Sequence, residues 1–146
     1  LTDTAVFNSL KKKGCLKSIS LKDFLKQKNE QFNNALDTIQ NETIFNSQIL
    51  DIFDMAQKQK LKLAVVTSSE KETTHKLLSK LNLIKYFDLI ITQEDTKKNK
   101  PSPDPYLLAM KKLNVNSSDV IIFEDSKPGL EAAEKAGAHY YKANWY

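Results

Sequence analysis

Apolar residues change their rhythm along this chain. From Leu61 onward they fall into short runs separated by stretches with helical spacing. Leu61 to Thr67 reads as one strand, Asp88 to Thr92 as a second and Val120 to Phe123 as a third. The third run, Val120-Ile121-Ile122-Phe123, predicts a parallel-sheet strand buried on both faces. Between the strands lie helical patterns. Ser69-Glu70-Lys71-Glu72 is a capping-box pattern that opens a helix with Thr74, Leu77, Leu78 and Leu81 inward. Ser102-Pro103 starts another whose inner face is Tyr106, Ala109, Met110 and Leu113. Ser126 is an N-cap candidate, Pro128 falls in the first turn, and the alanine-rich run Leu130 to Ala136 is closed by Gly137. A last strand runs from His139 to Lys142. Strands alternating with helices at this spacing predict an α/β fold with a parallel sheet and right-handed crossovers.

The N-terminal part has no such alternation. Leu1 to Leu10 reads as a turn and a short helix with Val6, Phe7 and Leu10 on one face. Ser20-Leu21-Lys22-Asp23 is a second capping-box pattern. The helix it opens carries the stripe Leu21, Phe24, Leu25, Phe32, Leu36 and Ile39, interrupted by Lys28. Ile49, Ile52, Phe53 and Ala56 repeat the spacing on a further helix that ends in Gln57-Lys58-Gln59-Lys60. The predicted boundary lies between Glu42 and Gln48. Residues 1–47 are then a helical region and residues 48–146 an α/β core.

Composition narrows the classes. A chain of 146 residues can bury one real core. It has no signal-peptide apolar region and no apolar run long enough to span a bilayer. The single cysteine, Cys15, excludes an internal disulfide framework and fits a reducing compartment, so a cytoplasmic location and no membrane partner are expected. Net charge is +4, carried by lysine runs at Lys11-Lys12-Lys13 and Lys97-Lys98-Asn99-Lys100. Neither run is interleaved with aromatics, and no nucleic-acid motif accompanies them, so no nucleic-acid partner is expected. His75, His139, Tyr140, Tyr141, Trp145 and Tyr146 read as packing or surface residues, and a monomer is expected. The chain opens on Leu1 instead of Met, which places the expected start of translation upstream.

The candidate chemistry sits where strands end. Open α/β sheets bind ligands outside the carboxyl ends of their strands. Glu124 and Asp125 follow the third strand directly and make a hard-cation pair suited to Mg²⁺, although two such acids can also cap a helix or face water. Thr67 and Ser68 end the first strand just before a helix, where hydroxyls and free N–H groups suit a phosphate oxygen, or an ordinary cap. Lys100 precedes Pro101-Ser102-Pro103-Asp104-Pro105, a stiff loop that fixes its direction. A hydroxyl, a cation and an acid pair on one rim are what phosphoryl transfer requires.

These segments carry a resemblance. Val65-Val66-Thr67-Ser68-Ser69, Lys100-Pro101-Ser102-Pro103-Asp104-Pro105-Tyr106 and Ile122-Phe123-Glu124-Asp125-Ser126-Lys127-Pro128-Gly129 resemble motifs II, III and IV of the haloacid dehalogenase-like superfamily. They look most like its β-phosphoglucomutase-like and phosphoglycolate phosphatase-like branch. The resemblance implies a Rossmann-like core with a small helical cap, Mg²⁺ as cofactor and an aspartyl-phosphate intermediate. It gives Thr67 and Ser68 phosphate contacts, Lys100 charge stabilisation, and Asp125, supported by Glu124, the metal. It also exposes a departure: the family's nucleophile motif, Asp-x-Asp-Gly, is missing, while Leu1-Thr2-Asp3-Thr4 resembles the segment that follows it. The nucleophile is therefore expected just upstream of Leu1, and the chain alone is expected to be inactive. The expected function is Mg²⁺-dependent phosphatase or phosphomutase action on small phosphorylated metabolites. The rival expectation is a non-catalytic relative that binds a ligand or protein. A dehalogenase would make poor use of the acid pair, and a lysine-driven nucleic-acid binder would show steep salt dependence.

Overall fold

The computed structural model describes residues 3–38 and 47–144. The chain divides into two units, Leu1–Phe45 and Asn46–Tyr146.

The first unit holds helices α1 (Asp3–Lys12) and α2 (Leu21–Thr38). Phe7 is buried in α1 and its ring meets Phe24 of α2 with centroids 5.4 Å apart. Leu36 is the buried residue of α2. Lys28 interrupts the apolar stripe because its ammonium reaches across to the Asp3 carboxylate. Ser20 forms half of the expected capping box: its hydroxyl oxygen accepts the Asp23 N–H at 3.1 Å. The Asp23 carboxylate takes the Ser20 hydroxyl at 2.6 Å instead of the Ser20 N–H. Ile39 lies outside the described residues.

The second unit contains α3 (Ser47–Lys58), β1 (Ala64–Val66), α4 (Lys71–Lys80), β2 (Leu89–Ile91), α5 (Asp104–Leu113), β3 (Ile121–Glu124), α6 (Lys127–Lys135) and β4 (His139–Lys142). Strands and helices alternate as the sequence predicts. On α3, Ala56 is buried and Phe53 packs on the rings of Tyr86 and Phe87, but Ile52 is exposed. The main cluster joins Tyr106 and Met110 of α5 to Ile122 of β3, Ala132, Ala133 and Ala136 at α6, and Ala138. The small alanines let α6 lie close on β3 and β4. Ser126 caps α6 as expected, its hydroxyl oxygen accepting the Gly129 N–H at 3.1 Å. Gly137 ends the helix at φ 72°, a left-handed conformation that glycine adopts without strain.

The strands form two parallel pairs, β1 with β2 and β3 with β4. Two expectations need correction. β3 is buried on one face only. Ile122 and Glu124 point inward, whereas Ile121 and Phe123 are 57% and 63% exposed. The reason is coverage: α6 packs on the inner face, while Phe123 on the outer face stacks on the ring of Tyr141, 6.0 Å away, and stays exposed. The capping box at Ser69 does not form. Helix α4 begins after Glu70, whose side chain makes no cap bond. Glu94 supplies the cap from the turn after β2, its two carboxylate oxygens accepting the Lys71 N–H at 3.0 and 3.1 Å. A negative charge is favoured there by the helix dipole, so a distant acid outcompetes the local one.

The hydrogen bonds also show which edges are open. Leu63 O accepts from Asp88 N at 2.8 Å and Thr67 N donates to Ile91 O at 2.9 Å. Residues 63, 65 and 67 therefore face β2, and the Val66 carbonyl faces the other way. On the second pair, His139 N donates to Val120 O and Ala143 N to Glu124 O, so the backbone groups of Ile121 and Phe123 face away from β4. Among the described residues, β1 and β3 each keep one unpaired edge.

Candidate active site

Lys100 joins those two open strands. It directly precedes the stiff Pro101–Pro103 loop, and its ammonium donates to Val66 O at 2.9 Å and to Glu124 Oε2 at 2.6 Å. Both charged side chains are 9% exposed. The Tyr106 ring lies under the same ammonium, 4.8 Å from nitrogen to centroid. An ammonium has three N–H donors, and two are engaged here. Those two fix its rotation, so the third has a set direction, and among the described residues it makes no hydrogen bond.

Glu124 is held from four sides. Its Oε2 accepts from Lys100 and from the Tyr106 hydroxyl at 2.7 Å. Its Oε1 accepts from the Ser126 N–H at 3.0 Å and the Ser126 hydroxyl at 2.7 Å. Burial pushes the carboxyl pKa up, but the bonds from Lys100, Ser126 and Tyr106 outweigh it and bring the value down to about 2. Glu124 is thus ionised throughout the ordinary pH range. Burial, and then the bond to Glu124, raise the Tyr106 phenol far above its usual value, so it stays a donor.

Gly129 makes room for this carboxylate. A Cβ on Gly129 would lie 2.0 Å from the Glu124 carboxyl carbon, and the four bonds leave that carbon little freedom to move. Gly129→Ala in the full-length protein is expected to lower stability by about 2 kcal/mol or more, since it must break at least one bond to a charged group. Urea unfolding checks this, and an unchanged midpoint would mean that Glu124 is not fixed where it stands.

The other expected residues lie around this centre. Thr67 follows Val66 directly, and its hydroxyl oxygen accepts the Ser69 N–H at 3.1 Å, leaving its own proton to donate. Ser68 is half-buried beside it, and Asp125 is exposed at the end of β3. The donor set fits a hard cation in part. No bond among the described residues engages the Asp125 carboxylate, whereas Glu124 could ligate only if one of its four present donors gave way. Among the described residues, no three His, Cys, Asp or Glu side chains converge on a point. The structure adds two residues to the site, Tyr106 and the hydroxyl of Ser126. Sequence reasoning took them for core packing and a helix cap. A phenol within a buried helical stripe was the available signal, because a buried hydroxyl needs a partner.

Several known proteins are similar to this chain. A phosphatase of phosphorylated carbohydrates from Thermotoga maritima is 35% identical over 118 residues, which are 81% of this chain and 53% of that protein. The phosphoglycolate phosphatase of Escherichia coli K12 is 30% identical over 95 residues, 65% of this chain and 38% of that protein. The crystal structure of β-phosphoglucomutase from Clostridium difficile superposes with a TM-score of 0.78 at 24% identity, covering 94% of this chain and 62% of that one. That likeness shows the Rossmann-like α/β fold. The chain therefore spans about half or less of these two curated relatives, 53% and 38%. The family profile described as haloacid dehalogenase-like hydrolase matches residues 1–143, and with it the chain belongs to the haloacid dehalogenase-like hydrolase family.

Proposed function

We propose that the protein is a Mg²⁺-dependent phosphatase or phosphomutase of small phosphorylated metabolites, phosphorylated sugars foremost, and that the ends of β1 and β3 carry the phosphate-facing half of its site. The observation that carries this reading is the Lys100 ammonium, nearly buried, fixed by two acceptors and left with one directed N–H. A preorganised cation of this kind stabilises the charge that develops on a transferring phosphoryl group. The Thr67 hydroxyl, and Ser68 beside it, hold phosphate oxygens at the end of β1. Asp125 would hold Mg²⁺, with Glu124 supporting, and the ion would offset the negative charge of the phosphoryl oxygens. The nucleophile is a carboxylate on a strand that precedes Leu1. Two observations support this: β1 and β3 each present an unpaired edge, and the chain covers 53% of its carbohydrate-phosphatase relative. In the reaction a carboxylate oxygen bonds to phosphorus, the sugar oxygen leaves and takes up a proton, and water or a second sugar hydroxyl then accepts the phosphoryl group.

The test is phosphate release from a panel of sugar phosphates by the full-length protein, with and without Mg²⁺. Asp125→Asn is expected to lower kcat about a hundredfold or more at saturating substrate, the range seen when a group that stabilises transition-state charge is removed. Unchanged activity and unchanged Mg²⁺ titration in Asp125→Asn would refute the metal assignment. The rival reading is a non-catalytic binding module. A full-length protein that binds sugar phosphate without turning it over would establish that rival.

A further inference from the structure

We infer that Tyr106 is a positioning residue that sets the direction of the Lys100 ammonium, acting through the oxygen of Glu124 that the two share. The inference rests on the phosphoryl-transfer reading of Lys100. Tyr106 lies two residues into α5, is 5% exposed, and belongs to the apolar cluster with Met110, Ile122 and the alanines of α6. A phenylalanine would fill the same space. The hydroxyl is an extra polar atom placed in an apolar cluster, which is unfavourable unless it is bonded. Its partner is Glu124 Oε2, at 2.7 Å, and Lys100 bonds that same oxygen at 2.6 Å. The ring beneath completes a three-sided seat for the ammonium: aromatic face, carboxylate oxygen and Val66 carbonyl. Without the hydroxyl, Ser126 still holds Oε1, but Oε2 is left with Lys100 as its one donor and is no longer anchored on the Tyr106 side. Lys100 then keeps its charge and loses its fixed direction. The prediction is a defect in orientation, separable from packing because Tyr106→Phe keeps the ring.

The experiment uses the full-length protein with carbon-13-labelled lysine, as wild type, Tyr106→Phe, Lys100→Ala and the double variant. In the wild type, a locked Lys100 should show two distinct proton shifts on its Cε methylene; in Tyr106→Phe they should merge. Phosphate release should show kcat lowered about tenfold by Tyr106→Phe with KM within about twofold, a loss sized to one bond to a charged group. In the Lys100→Ala background the same change should have no further effect, since coupled residues are not additive. Distinct shifts that persist in Tyr106→Phe overturn the inference, and so does an equal loss of kcat in both backgrounds. Should Tyr106→Phe also melt early, Ala109→Gly, on the same buried helix face, serves as a destabilised control. An equal loss of kcat there would make the Tyr106 effect structural and overturn the inference. A wild type with no turnover would refute the phosphatase reading alone, and the methylene shifts would still decide whether Tyr106 fixes Lys100.

Discussion

Replacing Lys100 with alanine in the full-length protein is expected to lower kcat by ~10²–10³, the range for loss of a preorganised charge aimed at a transition state. The structure adds a second consequence. Lys100 and Glu124 are both nearly buried, so removing the lysine leaves a carboxylate without its counter-charge, and breaking a buried pair typically costs ~3–5 kcal/mol. A slow and unstable variant would by itself be ambiguous. The double variant Lys100→Ala with Glu124→Gln separates the two effects. The amide removes the stranded charge, can still accept from Tyr106, and should recover most of the stability. It should recover none of the rate, because the cation is still missing. Lys97→Ala and Lys98→Ala, both at exposed positions, serve as controls and should match the wild type in both measurements. Turnover within about threefold of wild type in Lys100→Ala would reduce Lys100 to a structural ion-pair partner, far short of the effect expected of a charge stabiliser.

The centre of this site was legible because its residues follow strand ends, and strand ends show in a sequence as apolar runs that stop. Thr67, Glu124 and Asp125 could be named that way, Lys100 from the proline-rich stretch that follows it, and Ser126 as the cap of α6. The links between them could not. Nothing local connects Tyr106 with Glu124, eighteen positions apart, or Lys100 with the Val66 carbonyl; those contacts arise only when α5 packs against β1 and β3. Burial was misjudged at β3 for a related reason. A run of β-branched residues reports that a strand forms, but the number of covered faces depends on what packs against it. Leu61 shows the same limit at a strand start: its apolar side chain extends the run on paper, yet it is exposed and β1 begins only at Ala64. The cap of α4 failed in the sequence because Glu94 is remote along the chain and near in space.

The proposed site needs the ends of β1 and β3 to make half of a phosphoryl-transfer centre, with the attacking carboxylate carried on a further strand. A strand between two open parallel edges would satisfy backbone donors and acceptors on both, and without it those groups depend on water. Residues 1–146 made alone are therefore expected to unfold with low cooperativity or to associate through their open edges. The decisive measurement is Mg²⁺-dependent phosphate release from a sugar phosphate by residues 1–146 alone, beside the same chain extended to the natural start of its reading frame. No turnover is expected from the former, and both cooperative unfolding and turnover from the latter. A stable monomer of residues 1–146 that releases phosphate at enzyme-like rates would contradict that expectation, and would place the nucleophile within the chain described above.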